Sequence, residues 1–407
     1  LDSRSSFRQL SVLIAVATVD LMGAMMVAPL IPFYALKLNV SEPVIGAVFA
    51  SFSLAQLLAA PLWGRVSDRY GRRPALLAGL AALCAGYLIF GLADSVWMLF
   101  LARIVQGAGG GTTAVTQAYV ADILPPADRA RGLGWLSAGT NVGTMIGPAL
   151  GSLAAAWGQM GPGLLAASLC AINLLCAWIW LPESRKAHTG EAAPSRPVWS
   201  GVWTVIRHPR KEVSKLTLIY AAGMFGLSAM PAVMSLYLGA RFGFTERTVG
   251  VVFLYVGAFS VVMRSALIGP IVDRFGEARA MRIGALTLMA GLAGYALAPN
   301  LWTLAAVIPL VPVGTALLFP ATTALMSRAA RKAEVGLTMG VAQTFAGVSR
   351  LIAPIMSTSL FKYAGHAAPF FFAAASVGLA SLLMLDLAPA RSGKETTGLD
   401  ADVKPAE

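Results

Sequence analysis

The chain has 407 residues, 57% hydrophobic and only 12% charged, with a formal net charge of +12 and a mean hydropathy of +0.71. Soluble domains carry roughly 25% charged residues, so this composition excludes a soluble multidomain protein, a disordered chain and a collagen-like fibre. Cys84, Cys170 and Cys176 all lie in apolar runs, which implies no disulfide framework and no cysteine metal cluster and leaves a polytopic helical membrane protein.

A membrane-crossing helix needs about 20 mostly apolar residues. Twelve such runs are predicted, at 9–36, 43–64, 74–93, 95–121, 132–157, 161–181, 214–239, 248–272, 280–298, 301–326, 335–361 and 366–388. They are long, unbroken and rich in Leu, Ala and Gly, unlike the short alternating segments of a barrel. The first is expected to be a span and not a cleaved leader, because it contains Asp20 and eleven runs follow. The start at Leu1 is expected to reflect a missing initiator Met.

With the N-terminus placed in the cytoplasm, 24 of the 31 Lys and Arg residues fall on that side. Lys37, Arg241, Arg247 and Lys362 fall outside, and Arg103, Arg264 and Arg350 lie within runs. This positive-inside asymmetry predicts that both termini are cytoplasmic. The basic loops would then face an anionic leaflet, which accounts for the net charge without a nucleic-acid partner. The polar stretch 182–213 reads as a cytoplasmic linker, with Trp199 and Trp203 marking a short interfacial helix. It separates a first unit, 1–181, from a second, 214–388, and a polar tail occupies 389–407.

The two units repeat. Gly64-x-x-x-Asp68-Arg69-Tyr70-Gly71 recurs 205 residues later as Gly269-x-x-x-Asp273-Arg274-Phe275-Gly276. Trp97 and Trp302 share that offset, while Gly132/Gly336 and Pro148/Pro354 come within one residue of it. Parallel six-helix repeats around a midplane site belong to alternating-access transporters.

Four motifs carry a family resemblance. The loop from Gly64 to Arg73, with Asp68, Arg69, Gly71, Arg72 and Arg73, resembles the signature between helices two and three of the major facilitator superfamily. Arg103-Ile104-Val105-Gln106-Gly107 resembles its fourth-helix motif. Gly139, Gly143, Gly147, Pro148 and Gly151 resemble the fifth-helix antiporter motif, except that Ser152 stands where a second glycine is usual. Asp20-x-x-Gly23-x5-Pro29-x-x-Pro32 resembles the first-helix motif of proton-coupled drug exporters, including the tetracycline/proton antiporters. The resemblance implies an all-α membrane fold of twelve helices in two six-helix bundles related by pseudo-two-fold symmetry. It implies a proton-driven antiporter of amphipathic small molecules in the bacterial inner membrane. The partners expected are a small-molecule substrate, protons and the lipid bilayer; the chain is read as a monomer with no cofactor, no metal site and no enzymatic activity. Export of an endogenous metabolite, such as a siderophore or lipid-like compound, is the alternative. The acids that tetracycline exporters carry before a tyrosine in helices three and nine are replaced by Gly86 and Gly291, which argues against a metal–tetracycline substrate.

Individual residues take expected roles. Asp20 lies eleven residues into the first run, ~16 Å deep at about 1.5 Å per residue. An isolated carboxylate at that depth favours proton binding, the alternative being a structural acid paired with arginine. Arg103 reaches a similar depth and is the expected partner of Asp20, and the resemblance implies a proton-relay role for it; a fixed buried ion pair, or an arginine hydrogen-bonded to Gln106 and backbone, is the alternative. The resemblance makes Asp68 part of a cytoplasmic latch, with Arg129 and Arg131 as candidate partners, against a purely topogenic loop. It also implies that the fifth-helix glycines contact run eight, whereas ordinary small-residue packing would need no such role. Candidate cavity residues are Met26, Phe33, Tyr119, Asn141, Met230, Tyr237, Gln343 and Arg350.

Overall fold

A computed structural model describes residues 3–184, 198–331 and 334–384. The tail 389–407 and much of the 182–213 linker lie outside the described residues. Each of the twelve apolar runs is helical, and nine helical segments among the described residues are long and apolar enough to cross a bilayer. The first span runs through Ser3–Val27, a 3-10 turn at Ala28–Leu30 and Ile31–Lys37. Pro29 and Pro32 remove amide donors there, which tightens the helix without ending it. Spans two and three are Glu42–Tyr70 and Arg72–Gly91. Span four breaks after the Gly109-Gly110-Gly111 run, into Val96–Gly110 and Thr113–Ile123. Spans five and six are Pro126–Ala154 and Gly161–Trp180.

The short helix expected at Trp199 and Trp203 is present as Val198–Arg207, with both indoles exposed. Span seven follows as Glu212–Ser228 and Met230–Phe242, broken just before Pro231. Span eight runs from Val249 to Phe275 through a π-helical turn, Met263–Leu267, that holds Arg264. Spans nine to twelve are Glu277–Leu297, Leu301–Ala329 with an interruption after Val307, Val335–Tyr363 and Ala368–Leu382.

The repeat seen in the sequence has a conformational counterpart. Gly71 and Gly276 each end one helix and start the next, at φ 109°, ψ 161° and φ 76°, ψ 162°. That region is essentially open only to glycine, so the same residue is needed at the same corner of both halves.

In the first half, span one packs on spans five and six, and span four on spans two and three. In the second, span nine packs on ten and twelve, and span seven on ten, eleven and twelve. The halves meet where span two packs on span eleven and span five on span eight. Gly46 lies against the Pro354 carbonyl and Thr358, and Gly250 against the Pro148 carbonyl and Ser152, so both approaches are backbone-close.

Candidate functional site

The Gly64–Arg73 loop marks one face of the molecule, here the basic face. At the opposite face the halves are tied together. Lys37 pairs with Glu246, and Lys362 with Glu42 at 3.7 Å. Ser152 accepts a 2.8 Å hydrogen bond from the Gly250 N–H. Phe33 lies against Gly239. At the basic face, the ion pairs between described residues stay within one half: Arg72 with Asp68 and Asp122, and Arg328 with Glu277. The opposite face is therefore the closed one.

Asp20 is half-buried, midway along the first span; the other acids of the described helices lie at helix ends. It lines a cavity of about 230 Å³ inside the first half, with Thr112, Thr113, Thr116, Thr140 and Thr144. Tyr87 donates to the Asp20 backbone carbonyl at 3.4 Å, not to its carboxylate. Among the described residues no side chain donates to that carboxylate.

The expected Asp20–Arg103 pair does not form in this conformation. Arg103 is buried, donates to Gln106 Oε1 at 2.8 Å and stacks over the Phe52 ring, 4.1 Å from its centroid. Gln106 in turn donates to the Gly86 carbonyl at 3.1 Å. The guanidinium is thus held by an amide and a π-face; the bond to backbone is made by Gln106 and not by Arg103, whose Nε has no partner. A Cβ at Gly86 would sit 2.7 Å from Gln106 Cγ, so a larger residue there would displace this chain of contacts.

The loop at the basic face bonds to neighbouring ends of spans two, four and six. Asp68 is largely exposed and bonds to Arg72 Nη1 at 2.7 Å, while Arg129 donates to the Leu124 carbonyl. Among the described residues neither Arg129 nor Arg131, on span five of the same half, bonds to Asp68. Arg72 also donates to Ser67 and Asp122, and Arg73 to the Trp178 carbonyl. Glu183 caps the start of span three, accepting from the Arg72 and Arg73 amides at 2.9 and 3.1 Å. A carboxylate there matches the partial positive charge of a helix N-terminus. Sequence reasoning missed Glu183, since nothing near it signals a partner 110 residues away. Gly64 meets no neighbour where a Cβ would stand, and Arg69 lies over the Tyr70 ring.

The fifth-span glycines face span one, not span eight. A Cβ at Gly139, Gly143, Gly147 or Gly151 would strike Thr18, Met22 or Met26 atoms at 2.2–2.6 Å. Contact with span eight is made by Met145, Pro148 and Ser152, against Gly257 and Gly250. The five–eight contact implied by the motif exists, but the close-approach glycines for it sit on span eight.

Several expected cavity residues prove to be packing. Met26, Tyr119 and Tyr237 are fully buried. The hydroxyls of Tyr119 and Tyr237 donate to the Pro182 and Tyr295 carbonyls, and Met26 is wedged beneath Gly147 and Gly151. Phe33 belongs to the closed face and Met230 packs on the core. Asn141 and Arg350 are half-buried and Gln343 is exposed. Asn141 accepts from Arg264 at 3.4 Å across spans five and eight, while Gln343 donates to Tyr220, which also adjoins Arg350.

The chain matches the family model described as Major Facilitator Superfamily over residues 13–311 and 216–406. It is 31% identical over 361 residues to the tetracycline resistance protein, class C, of Escherichia coli, covering 86% of this chain and 89% of the relative. It is 28% identical over 358 residues to multidrug resistance protein 2 of Bacillus subtilis (strain 168), covering 87% and 89%. Its fold is similar to that of the human organic anion transporter TETRAN, with TM-score 0.69 and 21% identity over 93% of this chain and 99% of that one. The nucleoside transporter NupG superposes with TM-score 0.77 at 13% identity, over 94% and 99%.

Proposed function

We propose that this chain, which belongs to the Major Facilitator Superfamily, is a proton-coupled exporter of amphipathic small molecules that works by alternating access. The observation that carries the reading is Asp20: a mid-span carboxylate, without a donor, at the edge of an internal cavity. Burial makes a bare charge there costly, so the carboxyl takes up a proton and gives it up as access alternates. Arg103 adds a fixed positive charge one helix away. The names of the relatives, tetracycline resistance and multidrug resistance proteins, support drug efflux. Gln106 fills the space beside Gly86 and Leu310 that beside Gly291, which favours substrates other than a metal–tetracycline chelate.

In this reading the basic face is cytoplasmic, both termini lie there, and the membrane is a bacterial inner membrane. The units 1–181 and 214–388 rock about the two–eleven and five–eight contacts. Substrate enters between the halves near Asn141, Gln343 and Arg350. Asp68 and its loop bridge to the other half when that face closes. The chain acts as a monomer.

The test is transport in proteoliposomes with an imposed pH gradient, comparing dyes, cationic drugs, tetracycline and siderophores. Uphill movement of dyes or cationic drugs that collapses with the gradient is the expected result. Transport indifferent to the gradient would overturn the reading.

A further inference from the structure

The cavity beside Asp20 is the place where the common bond from a helical hydroxyl to a carbonyl three or four residues back recurs around a carboxylate. Its five threonines, Thr112, Thr113, Thr116, Thr140 and Thr144, each donate to a carbonyl of their own span, at 2.8–3.4 Å. A hydroxyl has one proton and two lone pairs, so with the protons engaged the lone pairs are what these oxygens can offer. Ser137 and Gln117, the other polar lining residues, carry no charge, and no Lys, Arg or His lines the space. Arg103 is turned away onto Phe52 and Gln106. The titratable groups nearest Asp20 on the packed helices are Tyr87 of span three and Cys170 of span six, neutral in their ordinary forms. Span five presents only Leu136 and hydroxyl side chains.

We infer that this cavity is a binding site for a hard monovalent cation, of the Na⁺ class, that competes with the proton for the Asp20 carboxylate. An ionised Asp20 has one negative charge and no side-chain donor among the described residues, and it shares the cavity with the hydroxyl oxygens of spans four and five and with the apolar side chains of Val16, Leu21, Leu76, Leu80 and Leu136. Such a set meets the oxygen preference of hard cations. One carboxylate balances one positive charge; a divalent ion would leave an uncompensated charge in a low-dielectric site. The inference rests on the proposed role of Asp20 but adds a second ion to it.

The experiment uses the full chain purified in detergent, weakly buffered, and scanned over a wide range of pH. Addition of NaCl is expected to release protons, and choline chloride at equal ionic strength is not. Asp20→Asn should abolish the release while keeping a cooperative thermal transition. Thr140→Val should raise the half-saturating Na⁺ concentration at least ~10-fold, the loss of one ligand of ~1.4 kcal/mol, and Thr140→Ser should restore it. Equal release by choline chloride, undiminished release in Asp20→Asn, or displacement of Na⁺ by equimolar Mg²⁺ would overturn the inference. Loss of gradient-driven export with Na⁺-dependent proton release intact would sink the export reading alone. Export without that release would sink this inference alone.

Discussion

Ser152 on span five accepts a 2.8 Å hydrogen bond from the backbone N–H of Gly250 on span eight. The residue that departs from the usual glycine of the fifth-helix motif is thus the one that ties the two halves at the closed face. Gly250 makes the contact feasible, because a Cβ there would stand 2.3 Å from the Pro148 carbonyl oxygen.

Ser152→Ala should loosen this closure. A neutral buried hydrogen bond is worth about 0.5–1.5 kcal/mol net, so the population with the opposite face open should rise roughly two- to thirteen-fold. Gly250→Ala should act more strongly, since the clash is with backbone. Spin-label distances between the ends of spans five and eight at that face would measure both. Unchanged distributions in both variants would remove this contact from the closing device.

Glu246 gives the closure a pH dependence. Its burial would raise the carboxyl, but the Lys37 hydrogen bond, a backbone bond and the charges of Lys37 and Arg247 outweigh this and hold it below the usual carboxylate range. A carboxyl lowered in the closed state stabilises that state above its ordinary pKa of ~4.3. The contribution is lost as pH falls through the lower, closed-state value. Opening at this face should therefore increase below about pH 4.3 and be flat from pH 5 to 7 as far as this pair is concerned. The pair is partly exposed, so the effect is about 0.2–1 kcal/mol, at most a five-fold change in population. Fluorescence transfer between labels at the two sides of the closure would follow it, and Glu246→Gln should flatten the acid limb.

The architecture was legible because a bilayer imposes one dominant constraint: long apolar runs must be helices, and basic loops set their direction. The repeat at Gly71 and Gly276 was legible because a backbone corner closed to other residues leaves glycine as its trace. Partnerships were not. Depth alone put Arg103 beside Asp20, but helix rotation, which hydropathy does not encode, turns it onto Phe52. The four-residue glycine spacing showed a face of close approach without showing that span one fills it. Glu183 lies just after span six, and its role as the cap of span three depends on how those spans pack.

Gly71→Ala should cost stability through two routes. Its φ of 109° with ψ 161° is a glycine conformation, and forcing a side chain into it costs about 1–3 kcal/mol. The new Cβ would also stand 2.3 Å from Glu183 Oε2, pushing away the cap of span three. Glu183→Gln isolates the second route, keeping the volume and removing the charge. Thermal unfolding in detergent should rank Gly71→Ala below Glu183→Gln, and Glu183→Gln below wild type. A Gly71→Ala protein as stable as wild type would mean that the corner is not constrained as described.

Asp20 and Arg103 are separable by experiment. In the conformation closed at the opposite face, Arg103 bonds to Gln106 through one Nη and stacks on Phe52, with its Nε unpartnered, and among the described residues no arginine pairs with the Asp20 carboxylate. The two residues should therefore contribute independently to the stability of this state. In a double-mutant cycle of Asp20→Asn and Arg103→Lys, followed by thermal unfolding, the effects should add to within ~0.5 kcal/mol. Arg103→Lys alone should be destabilising, because an ammonium loses the planar stacking on Phe52 and the placement of the Nη1 that meets Gln106. Export should show the reverse pattern of dependence. Asp20→Asn should abolish uphill export driven by a pH gradient while leaving substrate binding, and Arg103→Lys should retain part of it. A coupling energy well above 1 kcal/mol in the stability cycle would restore the direct ion pair that the sequence suggested. Uphill export at wild-type rate in Asp20→Asn would move the coupling site elsewhere, with Arg264 and Arg350 in the second half the next side chains to test.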